Sequence, residues 1–262
     1  MLKAWFSTRQ QNNFWLVDKK GYQTVIQANH GKAIDDAMPL FQGEQFSEVL
    51  DLSPWLLPIS SELLSLSDDV FTFGIGLSTS VEQITLIQHL RSLLVAAYEG
   101  EEMMFRFYDT NVLGPMFETM DAGERSAFLG CVSELAICHD GELAQYDSDM
   151  TEHWAHQDAI WWKILPKHLA PLYKVTTHAK ALERRFWQKL PDSMAQLDNP
   201  YQTLLTAMES AQQRNLSAQD IEFVAINTLM SATNTHLSVI TQAFHLSQDE
   251  QSQLMNTQEK IG

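Results

Sequence analysis

Cysteine is nearly missing from this chain. Only Cys131 and Cys138 occur, seven positions apart, and without a third or fourth thiol neither a zinc site nor a disulfide framework is expected. A reducing cytoplasm is the compartment such usage fits. Long apolar runs are missing as well, so no transmembrane helix is expected, and the amino end MLKAWFSTRQQNNFWL lacks the continuous apolar core of a signal peptide. Recognisable catalytic patterns are absent too: no GxSxG elbow, no phosphate loop, no HExxH, and no cysteine beside a helix start with an evident base. The adjacent acidic pairs Asp68-Asp69 and Glu101-Glu102 point different ways on any regular element and read as solvated turns, not as an acid–base couple. Neither an internal repeat nor a low-complexity tract is present. A protein that is not an enzyme and needs no cofactor is the expectation.

Basic charge is in short supply. Lys and Arg number 17 against 33 Asp and Glu, a formal net charge of −16, which disfavours nucleic acid as a partner because phosphate contacts need a basic surface. The imbalance is local: residues 49–150 hold 17 acidic and 3 basic side chains, whereas 1–48 hold five of each. Farther on, Lys163, Lys167, Lys174, Lys180, Arg184, Arg185 and Lys189 face Glu183 alone within 163–189. Such asymmetry suits a surface that docks a partner electrostatically, or two lobes that attract one another, and equally a solvated helix face. Lys163, Lys167, Lys174, Arg184 and Arg185 are the candidate partner-binding cations.

What the chain does contain is apolar substance: 45% hydrophobic residues in 262, with seven Trp and 13 Phe, enough for one large domain or a domain with an added lobe. Short apolar runs at 14–18, 55–59 and 70–77 read as strands. Spacings of three and four after residue 80 and after residue 110 read as helices, the latter tolerating Pro115 only near its start. Asp121 and Glu124 have capping-box spacing before Phe128. Strands separated by helices at this frequency predict an α/β lobe over 1–146 with a mainly parallel or mixed sheet flanked by helices. From 147 the composition turns polar, acidic and rich in His and Trp, and beyond it four segments with helical spacing predict an all-helical lobe over 147–262. Asn199-Pro200, Ser217 with Asp220, and Ser247 with Glu250 mark helix starts.

Two patterns imitate cofactor sites. Gly74-x-Gly76 before Ser80 resembles a dinucleotide turn, but Thr79 stands where the third glycine belongs and no acidic residue is placed to hold a ribose. His153 and His156 lie three apart beside Glu152 and Asp158, a possible pair of metal ligands lacking a third. An α/β enzyme using either place is the alternative to a binding protein.

The centre of the chain is EEMMFRFYDTNVL, residues 101–113. Its apolar content predicts a buried strand over 103–108 running into a helix capped by Asp109 or Thr110. A buried Arg106 would need a carboxylate such as Asp109, and removing it would then cost about 3 kcal/mol. FRFYD within this stretch resembles the Phe-Arg-x-Tyr-Asp signature of the effector chaperones, or adaptors, of the type VI secretion system, domain-of-unknown-function family 4123. The pieces MPLFQGEQFSEVLDLSPWLLPI and DAGERSAFLG resemble two further segments of that family, so the similarity covers about residues 14–140. Lys19-Lys20 departs from it, where the family tends to have a small residue after Asp. The resemblance implies a cytoplasmic protein that binds its cognate secreted effector in the producing cell and loads it onto the VgrG spike protein, with no membrane partner. It also implies that Phe105, Arg106, Tyr108 and Asp109 hold the lobe together. An immunity-type inhibitor of an effector would share the acidic, non-catalytic character.

Overall fold

A computed structural model describes residues 1–139, 141–148, 154–155, 157, 159–214 and 216–259. The chain divides into two compact units, Met1–Leu172 and Tyr173–Gly262.

The first unit is a three-layer α/β structure, and β1 (Asn12–Val17) shows why. Phe14 and Leu16 face one apolar cluster while Trp15 and Val17 face another, so alternate side chains of one strand serve two cores. The same division runs through β3 (Trp55–Pro58), β4 (Gly74–Thr79) and β7 (Glu134–His139): Leu56, Ile75, Leu77, Leu135 and Ile137 go one way, Leu57, Ala136 and Cys138 the other. With β2 (Met38–Pro39) and β8 (Glu142–Asp147) the strands stand in the order β2-β3-β1-β4-β7-β8. On one face lie α4 (Gln83–Ser92), α5 (Thr110–Thr119) and α6 (Ala122–Leu129); on the other lie α1 (Leu2–Ser7), α2 (Lys19–Ala28) and the single turn α3 (Ser61–Leu64).

The layers agree with the sequence expectation, but the strand direction does not. Every pairing in the six-stranded sheet is antiparallel, with Trp15 opposite Leu57 and Gly76, and Gly76 opposite Ala136. The unbroken apolar runs report burial on both faces, which is typical of parallel sheets, and here an antiparallel sheet is covered twice. The imitation of a dinucleotide turn at Gly74 and Gly76, already weak in the sequence, has no counterpart in the structure. They lie inside β4, all of whose residues are buried, and not in a turn that could present amides to a phosphate. A Cβ on Gly76 would come within 2.8 Å of the Trp5 ring, and Gly74, at φ +84°, abuts Trp15 and the Leu16 carbonyl. The cap before α4 is Glu82, and Ser80 makes no capping bond.

The buried strand expected at 103–108 is replaced by two things. β5 (Val95–Tyr98) and β6 (Glu101–Met104) form a separate antiparallel hairpin, and all four residues of β6 are exposed. Residues 105–109 then leave the strand as a loop. The boundary expected at 147 is also displaced, because Trp162 and Ile164 are buried in the first unit's core and the Ala97 amide donates to the Trp162 carbonyl at 2.9 Å.

The second unit is helical: α8 (Val175–Lys189), the short α9 (Pro191–Met194), α10 (Pro200–Gln213), α11 (Ala218–Thr233), α12 (Leu237–Phe244) and α13 (Gln248–Glu259) follow the single-turn α7 (Pro166–Leu169) of the first unit. α11 is buried almost all round, which marks it as the central helix. Its one buried amide side chain is satisfied, since Asn227 Nδ2 donates to the Leu254 carbonyl at 2.9 Å. The helix starts read from the sequence are where they were expected: Asn199 accepts from the Gln202 amide, Ser217 from Asp220 and Ser247 from Glu250.

Candidate functional site

The loop 105–109 is shaped by alternation without being a strand. Phe105 and Phe107 point inward, 3% and 1% exposed, and meet the Phe128 ring of α6 at 6.2 and 6.0 Å. Burying two phenylalanines contributes about 2 kcal/mol each, enough to fix the loop without strand pairing. Tyr108 is half-buried between them and the sheet edge, its ring edge-on to Phe41 at 5.7 Å, and Phe41 stacks on Phe46 at 5.0 Å. Three segments far apart in sequence, 38–46, 105–109 and 121–130, therefore meet on one aromatic cluster. Burial raises the Tyr108 phenol above its ordinary range; Arg106 works against this, and the Asp109 and Asp18 carboxylates add to it.

Asp109 ends the loop and starts α5. Its Oδ1 accepts from the Asn111 backbone N–H at 3.0 Å and the Asn111 side-chain amide at 3.1 Å, while Oδ2 accepts from Arg106 at 2.8 Å. Asp109, one of the two residues expected to cap, is the cap, and it is the carboxylate expected for Arg106. The arginine is not buried, however: 62% of its side chain is exposed, because it stands between the inward-pointing Phe105 and Phe107 and so points out. Asp121 and Glu124 close the expected capping box at the start of α6, at 2.8 and 2.9 Å.

Asp18 does for α2 what Asp109 does for α5, accepting from the Gly21 amide at 2.6 Å. Both helix starts open onto a cleft of about 300 Å³ lined by Asp18, Lys20, Phe73, Tyr108, Asp109 and Asn111 among others. The two carboxylates complement the positive ends of the two helices and are already engaged as caps. Neither imidazole nor thiol lines the cleft. Cys131 and Cys138 are buried elsewhere, and burial pushes the Cys131 thiol up to about 12, far from a thiolate. The arrangement can hold a polar group or a side chain from outside.

Sequence reasoning missed Asp18 as a partner of Asp109. The signal was a carboxylate closing the apolar run 14–18, read only as the end of a strand. It also missed Phe107, the unspecified position in the signature, whose burial equals that of Phe105.

The candidate partner-binding cations are dispersed. Lys163 and Lys167 belong to the first unit and Lys174, Arg184 and Arg185 to the second, so no single element carries them. Lys167 Nζ is 2.6 Å from Glu124, and this bond, more than the helix start, holds the Glu124 carboxyl below its ordinary range. Arg185 is paired with Glu222, whose other oxygen lies 3.5 Å from His178 Nε2. Burial would raise the Glu222 carboxyl, but the bonds from His178 and Arg185 outweigh it and keep it low. Lys163, Lys174 and Arg184 are exposed. His153 and His156 lie outside the described residues, and among the described residues no group of three or more His, Cys, Asp or Glu could hold a metal ion. Nor, among them, is any helix long and apolar enough to cross a membrane.

No curated protein and no solved structure matches the chain. Residues 13–127 match the family model described as Domain of unknown function (DUF4123), a stretch that includes the loop 105–109, the Asp18 and Asp109 caps and the start of α6.

Proposed function

We propose that the protein is an adaptor of the type VI secretion system: in the producing cell it binds one secreted effector and delivers it to the VgrG spike. The observation that carries the reading is the convergence of the three signature-bearing segments on one cluster, Phe41, Phe105, Phe107, Tyr108 and Phe128, within the matched stretch. In this reading the signature is scaffold. It holds an α/β unit whose surface is strongly acidic, and a separate helical unit offers a second surface, so that one unit is free to hold effector while the other meets the spike. The exposed cations Lys163, Lys174 and Arg184 are candidates for acidic patches on either partner, with Lys167 and Arg185 available once released from Glu124 and Glu222. Cytoplasmic residence and the lack of catalysis belong to the same proposal.

The test is co-expression of the full chain with the effector encoded beside it and with the spike protein. Co-purification of the effector, and of effector with spike only when the chain is present, is expected; capture of neither protein refutes the proposal. Protection of a recipient cell from the effector would point instead to an inhibitor.

A further inference from the structure

The hairpin β5–β6 has one covered edge and, among the described residues, one open edge. Its register sets Val95 opposite Met104, Ala96 opposite Met103, Ala97 opposite Glu102 and Tyr98 opposite Glu101. The Phe105 amide donates to the Leu94 carbonyl at 2.8 Å, so the alternation of an antiparallel pair turns the main-chain groups of Glu102 and Met104 away from β5. On the far side of β5 the outward position is taken: Ala97 donates to the Trp162 carbonyl and accepts from the Ile164 amide, both at 2.9 Å. Beyond β6, among the described residues, nothing bonds to the main chain of Glu102 or Met104.

Three features separate this edge from an ordinary strand end. The turn Glu99-Gly100 has φ of +51° and +88°, the two positive values of the tight hairpin turn, so the strand is held ready before anything binds. Met103 shares a face with fully buried Ala96, yet is 39% exposed, and Met104 is 45% exposed. The apolar layer stops short at β6 and a further strand would complete it. Finally, no lysine, proline or bulge guards the edge; residues 92–105 carry Glu99, Glu101 and Glu102 and no basic side chain.

We propose that β6 is a docking edge for an extended segment of a partner protein, a strand bearing Lys or Arg beside apolar side chains, which adds next to β6 by main-chain pairing. The incoming cations lie against Glu101 and Glu102 while apolar residues cover Met103 and Met104. A second copy of the chain is a poor occupant, since it would bring three more glutamates to the same edge. Identifying the partner as effector or spike rests on the adaptor reading, whereas the chemistry of the docked strand does not.

The test is amide hydrogen exchange on the full chain, alone and with three additions: the neighbouring effector, the spike protein, and a synthetic ten-residue Lys-Val strand built from Lys-Lys-Val-Val blocks, since adjacent residues of β6 face opposite ways. Protection of the Glu102 and Met104 amides on addition of any of these is expected. Glu102→Lys, or Met104→Pro, which removes an outward N–H and the Met104 side chain but no main-chain bond of the hairpin, should weaken that binding about tenfold, with the melting temperature of Glu102→Lys nearly unchanged. If effector or spike is captured while these amides exchange as before and the Lys-Val strand gives no protection, the edge proposal is overturned and the adaptor reading survives. If neither protein is captured but the Lys-Val strand protects β6, the adaptor reading falls and the edge stands. A dimer of the free chain with β6 already protected would also overturn the proposal.

Discussion

Arg106 and Asp109 allow a hydrogen-bonded cap to be separated from an ion pair. Asp109 caps α5 through Oδ1 and meets Arg106 through Oδ2, so the two roles use different oxygens. An N-cap carboxylate replaced by alanine costs about 1 kcal/mol. A pair whose arginine is 62% exposed is screened by water and is worth about 0.5 kcal/mol. Asp109→Ala should therefore cost about 1.5 kcal/mol, while Asp109→Asn, which keeps a capping oxygen, and Arg106→Ala should each cost about 0.5 kcal/mol. With a urea slope of about 2 kcal/mol per molar, the midpoints move down by about 0.7 M for Asp109→Ala and about 0.25 M for the other two. Tryptophan fluorescence follows the correct unit, because Trp5, Trp15, Trp55, Trp154, Trp161 and Trp162 all lie in the first and only Trp187 in the second. In the double variant Arg106→Ala/Asp109→Ala the arginine should add almost nothing to the loss. A loss of about 3 kcal/mol for Arg106→Ala alone would refute the argument, since only a buried pair broken on one side costs that much.

Gly76→Val brings a Cβ to 2.8 Å from the Trp5 ring; destabilisation of about 2 kcal/mol or more is expected in the same urea experiment, and an unchanged midpoint would contradict the packing. Cys131, 1% exposed with its thiol pushed up to about 12, should react with a thiol reagent only on unfolding, so rapid labelling of the native chain would count against its burial. Burial lowers the pKa of His168, which stacks on Trp162, below its ordinary value despite Glu124 nearby. Below the ordinary histidine range the unfolded chain then takes up a proton more readily than the folded one, so stability falls as pH drops from about 7 to about 5.5. His168→Gln should flatten that fall in melting temperature, and equal slopes for both proteins would refute it.

Much of the architecture could be read from the chain because single side chains carry it. Asp121, Asn199, Ser217 and Ser247 each name a helix start by their own chemistry, and each caps as expected. The direction of β1 and β4 could not be read, since Phe14-Trp15-Leu16-Val17 is equally apolar in either orientation once both faces are covered. At residues 105–108, the apolar content that suggested a strand belongs to two anchors, Phe105 and Phe107, with a solvated arginine between them. The cleft at Asp18 and Asp109 joins positions 91 residues apart, and no local pattern connects them. The edge at β6 was hidden for the opposite reason: Glu-Glu-Met-Met looks half-buried, and its openness depends on what lies beside it.

The order of the strands has a consequence for anyone who would work with the family segment by itself. β4 owes one neighbour to β1 and the other to β7, which begins at Glu134, after the matched stretch has ended at 127. A fragment cut at that limit would turn an enclosed strand into an adhesive rim, with Ile75 and Leu77 beside unpaired amides, and it should collect in inclusion bodies. The ribosome meets the same difficulty each time it makes the chain: after β4 has been synthesised, roughly 3–10 s pass before β7 emerges, an interval in which the half-made sheet depends on chaperones or on luck.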